Sequence, residues 1–111
     1  MNVVNLVGRI AKDPTTRSFG NTTVTEVIPV TERPRIRDGK TEKDPQTGYT
    51  LMDSEFHKIV IFNGMGKGVR DHKEKGDKLA VTGSIHYSQW TDSDNIKRYG
   101  CEIRADNVEF I

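Results

Sequence analysis

Cysteine is nearly missing from this chain. Cys101 is the only one among 111 residues, so no intramolecular disulfide and no thiol cluster for zinc can form. The expectation for Cys101 is a small buried strand residue, and a reducing cytoplasm fits such sparse use. Apolar residues are also scarce, at 33%, below the usual share in a globular domain. A chain of this length is expected to form one domain, residues 1–111, with a thin core that oligomerisation would thicken. Neither sign of charge is in excess: 17 Lys and Arg stand against 16 Asp and Glu, for a net +1. Attraction to a polyanion must therefore come from where the cations sit rather than from their number. The opening MNVVNLVGRI has no basic leader and no long apolar run, so neither a signal peptide nor a membrane span is expected.

Catalytic signatures are missing too. The chain has no HExxH, no paired-cysteine site, no P-loop and no nucleophile elbow. GMGKG at 64–68 has the glycines of a phosphate loop without its spacing. The remaining candidate groups are Asp53, Glu55, His57, His72 and His86. His57 falls on the core side of a strand, where a structurally satisfied histidine is the expectation, whereas His86 shares a face with Trp90. The reading is a protein that is not an enzyme and needs no metal or cofactor.

What the chain does have is short β-branched runs. Residues 3–10, 22–31, 55–63, 78–90 and 97–111 read as strands. Gly8 marks a bulge or a close backbone approach, and Pro29 demands an edge or a bulge. A break is expected near Asp106 and Asn107. Turns are expected at Gly20-Asn21 and at residues 92–95. Residues 65–75 read as a short helix with Gly76 as its stop. Residues 34–54 are polar, with four basic and four acidic groups, and read as a flexible hairpin arm. Three strands, a helix and two strands suit a small Greek-key barrel.

Strand side chains alternate, so parity assigns faces. In the fourth strand Leu79, Val81, Gly83, Ile85 and Tyr87 share the core face. The opposite face carries Ala80, Thr82, Ser84, His86, Ser88 and the only tryptophan, Trp90. In the third strand His57, Ile59 and Ile61 share one face, and Phe56, Lys58, Val60 and Phe62 share the other. Rings interleaved with a cation suit successive unpaired bases, which stack on the rings while lysine meets the phosphate. Further positive charge lies at Arg9, Arg17, Arg33, Arg35, Arg37, Lys75, Lys97, Arg98 and Arg104. Arg33, Arg35 and Arg37 alternate at the base of the arm, which would line one side of it along a phosphate backbone.

Five segments, in this order and spacing, resemble the bacterial single-stranded DNA-binding protein family. They are VNLVGRIAKDPTTR at 4–17, EFHKIVIFN at 55–63, KGDKLAVTGSI at 75–85, QWTD at 89–92 and KRYGCEI at 97–103. The resemblance spans residues 2–33 and 55–111. It implies an OB-fold: an all-β, five-stranded Greek-key barrel with one short helix between strands 3 and 4 and the arm between strands 2 and 3. It implies sequence-independent binding and protection of single-stranded DNA in replication, recombination and repair, by a cytoplasmic homotetramer, with a dimer as the other possibility. It also implies stacking at Phe56, Phe62 and Trp90, with Lys58, Arg17 and Arg98 in basic family positions. Arg33, Arg35, Lys75 and His86 complete the candidate interface.

Three departures stand out. Arg33-Pro34-Arg35 occupies a region where the family often has another aromatic. The arm is longer than usual. The chain stops at Ile111 without the linker and acidic tip that recruit replication and repair proteins in the family. If 111 residues is the natural length, recruitment by that route is lost, while a trimmed chain would fit equally and such protein partners stay possible. The competing readings are an OB-fold module for RNA or a primosome protein partner, and a purely structural interaction domain.

Overall fold

Valine, isoleucine and threonine favour extended backbone, and the computed structural model, which describes residues 1–111, strings them into ten strands and one helix. In chain order these are β1 (Val4–Ile10), β2 (Thr15–Phe19), β3 (Thr22–Val27), β4 (Pro29–Pro34), β5 (Ile36–Arg37), β6 (Lys40–Thr41), β7 (Met52–Phe56), β8 (Ile59–Phe62), α1 (Asn63–His72), β9 (Lys78–Thr91) and β10 (Lys97–Phe110). Eight strands form one curled sheet in the order β2-β3-β8-β10-β9-β1-β4-β7, and β5 with β6 forms a separate ribbon. β3 and β4 are halves of one path bent at Ile28, and β7 and β8 are halves of another bent at His57 and Lys58. Since β3 pairs with β8 while β4 pairs with β1, the bent path curls the sheet toward a barrel. β8 and β10 run parallel, as a Greek-key crossover requires. The architecture is the expected OB-fold.

The strands expected at 22–31 and 55–63 both break. Pro29 has no N–H for a ladder. Its carbonyl accepts the His57 N–H at 3.1 Å, and the Ile28 carbonyl accepts the Ala11 N–H at 2.8 Å. These bonds hold the bend. β2 is a strand that the sequence does not announce, because TTRSF has no apolar alternation, yet it pairs with β3 along its whole length. Gly8 behaves as expected: a Cβ there would lie 2.5 Å from the Val30 carbonyl oxygen. The break expected in the last strand takes the form of a register shift between Ala105 and Asn107.

The helix runs over Asn63–His72 rather than 65–75. Lys73 returns to extended backbone, and Gly76 lies in the following turn, where its N–H meets the Ile10 carbonyl at 2.8 Å. Interior glycines each cost about 1 kcal/mol relative to alanine, so packing has to hold this helix. Gly66 and Val69 are buried, with Gly66 lying against Thr25 and the Ile61 carbonyl. Arg70 and His72 in the last turn complement the helix dipole.

The core joins Ile10, Val27, Ile59, Ile61, Leu79, Val81 and Ile103 of the barrel to Val69 of the helix. Two residues expected inside are outside. Tyr87 is 80% exposed, and Cys101, its cross-strand partner, is also exposed. β9 and β10 stay paired from Leu79–Phe110 up to Thr91–Lys97, so their upper halves stand off the barrel as a ribbon. Parity tells which side a residue faces but not where the barrel ends.

The arm is more elaborate than one hairpin. At its root Arg35, Glu42 and Leu51 close a ring of backbone bonds: Arg35 N–H to Leu51 at 2.7 Å, Leu51 N–H to Glu42 and Glu42 N–H to Arg35, both at 2.8 Å. Two small hairpins branch from this junction. One turns at Asp38 and Gly39, both with positive φ. The other turns over residues 44–49, where the Asp44 carboxylate accepts the Gln46 N–H at 2.8 Å. No helix in the chain is long and apolar enough to cross a membrane.

Candidate nucleic-acid interface

Residues that are neighbours across a ladder point to the same side of a sheet, so the register assembles the outer face. Arg17 on β2, Val24 on β3 and Phe62 on β8 form one row. Thr15, Glu26, Val60, Arg104 and Ser84 form the next, across β2, β3, β8, β10 and β9. A groove runs over these rows, lined among others by Arg17, Phe19, Lys58, Val60, Phe62 and Glu102. Phe62 is 37% exposed, and the Arg104 guanidinium lies over its ring at 5.6 Å from the centroid. Val60 is 6% exposed and forms part of the lining.

β10 carries the same face onward. His86 lies opposite Glu102, and Trp90 lies opposite Arg98. The Trp90 ring packs over Gly100, where a Cβ would come within 3.0 Å of it. The absence of a side chain at Gly100 makes room for the ring, and Trp90 is 51% exposed. From Arg104 to Gly100 is four residues of strand, roughly 14 Å at 3.4 Å per residue. One tract therefore collects six of the ten candidates: Arg17, Lys58, Phe62, His86, Trp90 and Arg98.

The other four lie elsewhere. Phe56 is 67% exposed, but the bend at residues 57–58 moves it from the Phe62 row into a row with Val30 and Arg9. Lys75 lies in the turn before β9, its N–H on the Asp13 carboxylate at 2.8 Å. Arg33 and Arg35 alternate on the arm as expected, but each has a carboxylate partner. Arg33 meets Glu55 at 2.8 Å and Arg35 meets Asp53 at 2.9 Å, while Arg37 meets Glu42 at 3.6 Å. The hydrogen bond to Asp53 holds the Arg35 pKa above its ordinary value. His57 is satisfied as expected, with Nε2 at 2.7 Å from Thr31 Oγ1.

Within the tract the cations also have partners: Lys58 with Glu26 at 3.8 Å, Arg104 with Glu102 at 3.9 Å and Arg98 with Asp92 at 2.9 Å. Arg17 has no ion pair in the groove. Exposed pairs of this kind are worth only about 0–1 kcal/mol, so a phosphate can replace the carboxylate at little cost. Asp92 has a second task. It accepts the Ile96 N–H at 3.0 Å and the Asp94 N–H at 2.9 Å, shaping the turn at the ribbon's end. The Ile96 bond first, then that of Arg98, holds its carboxyl below the ordinary aspartate range.

Arg104 and Phe19 lie in the same tract although the residue pattern does not single them out for it. Arg104 carries a findable signal, because it shares parity with Arg98 on the last strand. Phe19 carries none, because β2 has no apolar pattern to reveal it.

Barrel topology defines the class, an OB-fold protein, and its outer sheet carries an open face of rings and cations. Comparison with known proteins agrees with that class. Residues 1–111 match the Single-strand binding protein family, and the chain belongs to it. It is 31% identical to "Single-stranded DNA-binding protein 1" of Xylella fastidiosa (strain 9a5c), across 100% of this chain and 77% of that protein. It is 30% identical to "Single-stranded DNA-binding protein 1-B, mitochondrial" of Xenopus laevis, across 100% and 76%. The fold is shared with a solved "Plasmodium falciparum SSB complex with ssDNA", at TM-score 0.79 and 20% identity, covering 100% of this chain and 95% of that one.

Proposed function

We propose that this chain binds single-stranded DNA without sequence preference and protects it during replication, recombination and repair. The observation that carries the reading is the tract from Phe62, under Arg104, to Trp90, seated on Gly100. Bases stack on Phe62 and Trp90, with Phe56 on a neighbouring row. Arg17, Lys58 and Arg98 meet phosphates, and His86 lies between the two rings of the tract. Arg33 and Arg35 reach phosphate only by giving up Glu55 and Asp53, and Lys75 contributes from the turn beside the barrel. Binding releases counterions and needs no bond making or breaking, so the protein acts as a binder and not as an enzyme.

The working form is a homotetramer in the cytoplasm. Val3 and Val7 are 57% and 60% exposed, and β1 meets β4 only at Arg9 and Ile10, so residues 4–8 keep an open edge. Open edges with apolar neighbours call for a partner.

The test is titration of Trp90 fluorescence with oligo-dT of several lengths at two salt concentrations, followed by competition with matched RNA. Quenching that weakens steeply with salt, and DNA favoured over RNA, is expected. No quenching overturns the reading, and equal or better competition by RNA transfers it to an RNA-binding module.

A further inference from the structure

Seven cations have carboxylate partners: Arg33, Arg35, Arg37, Lys58, Arg70, Arg98 and Arg104. Arg9 and Lys78 do not, and they are placed where that matters. They are direct cross-strand partners on β1 and β9, both exposed, on one face. Like charges directly opposite each other destabilise a sheet. Neither nearby acid forms an ion pair with them. Asp77, the neighbour of Lys78, is committed to its turn, accepting the Glu74 N–H at 2.9 Å. Glu32 lines the same groove without an ion pair. Arg9 is held in place by one bond from Nη1 to the Gly76 carbonyl at 3.1 Å, which leaves its other N–H groups free.

The row continues past Arg9. Lys78, Arg9, Val30 and Phe56 are successive partners across β9, β1, β4 and β7. Three inter-strand steps span roughly 14 Å at 4.8 Å each. Two cations without ion pairs thus lead across an apolar step to an exposed ring. This repeats the chemistry of the Phe62–Trp90 tract with different residues on different strands.

We propose that Arg9 and Lys78 together hold a phosphodiester of the bound strand beside the Phe56 ring, as a second binding tract. The inference rests on the single-stranded DNA reading and extends it. A strand that occupies both tracts passes over the bend at residues 57–58, so only longer oligonucleotides engage the second one. The bound phosphate relieves the repulsion that the free protein carries.

Three proteins test this: the wild type, R9Q/K78Q, and R9K/K78R, which retains both charges. Each is titrated with short and long oligo-dT over a range of salt. For long oligo-dT, the slope of log affinity against log salt should fall in R9Q/K78Q by roughly 0.7 for each phosphate no longer neutralised. The slope should stay at its wild-type value in R9K/K78R, and short oligo-dT should quench Trp90 equally in all three. The melting temperature of free R9Q/K78Q should equal or exceed that of the wild type. A reporter with Phe56→Trp and Trp90→Phe should be quenched by long oligo-dT, and less so when Arg9 and Lys78 are neutralised. If the wild type binds and all slopes agree, the second tract is refuted while the Phe62–Trp90 reading stands. If the wild type shows no Trp90 quenching, the parent reading fails instead. Should the double variant not fold, R9Q and K78Q singly carry the same comparison.

Discussion

Trp90 and Gly100 act as one unit. The ring lies so close to Gly100 that a Cβ there would meet its Cζ3 and Cη2 at 3.0 and 3.4 Å. Trp90→Ala should weaken oligo-dT binding by about 1–3 kcal/mol, with little change in salt slope. Gly100→Ala places a methyl 2.7 Å from Ser88 Oγ and 3.0 Å from the ring, so the indole must shift. Its expected outcome is a smaller loss of affinity in the same titration, with an unchanged melting temperature. Arg17 differs from both, since it offers charge without a ring. Arg17→Ala should flatten the salt slope by roughly 0.7, and an unaltered slope would take the residue off the strand's path. Alternation and charge alone mark Trp90 and Arg17, because both properties belong to the residue. The seat at Gly100 is not visible in this way, since it depends on a neighbour across the ladder.

At the scale of elements, the arm and the β9–β10 ribbon behave differently from their sequence appearance. The arginines of the arm look like a track for phosphate, yet their charges are already matched by Glu55, Asp53 and Glu42. Arg35 also lies off the Phe62–Trp90 tract, so Arg35→Ala is expected to change the oligo-dT salt slope less than Arg17→Ala does. It should loosen the junction formed by Arg35, Glu42 and Leu51, which faster amide exchange at Leu51 would reveal. The ribbon ends in a turn tied to an ionised Asp92. A carboxylate with a depressed pKa contributes stability above its ordinary value of about 3.9, and that contribution is lost as pH falls through the folded value. The turn should thus hold unchanged from neutral pH to about 5 and open below the ordinary aspartate range. The Ile96 amide shift followed against pH checks this, and Asp92→Asn should abolish the transition. The turn itself is legible from Asp-Ser-Asp-Asn, and the extended runs are legible from valine and isoleucine. The bends at Ile28 and His57 are only hinted at by Pro29, because a bend is held by bonds to residues far away in the chain.

For the whole molecule, a thin core means that single deletions are felt strongly. Ile61 is completely buried and lies in the cluster that joins barrel to helix. Ile61→Ala should cost about 2–5 kcal/mol, measurable by urea denaturation. Light scattering at micromolar concentration should give the mass of four chains, and Val7→Lys on the open β1 edge should lower it. The sequence by itself determined the class of fold, the side each strand residue faces and the kinds of side chain offered to a ligand. These follow from a period of two and from residue chemistry, which are local. Only the tertiary structure decided that Phe56 leaves the Phe62 row, that Tyr87 and Cys101 stand outside the barrel, and which cations keep their charge unmatched. Those outcomes depend on where two bent paths cross and which distant strands they meet. Pairing across such distances is a property of the closed sheet, and no window of the sequence contains it.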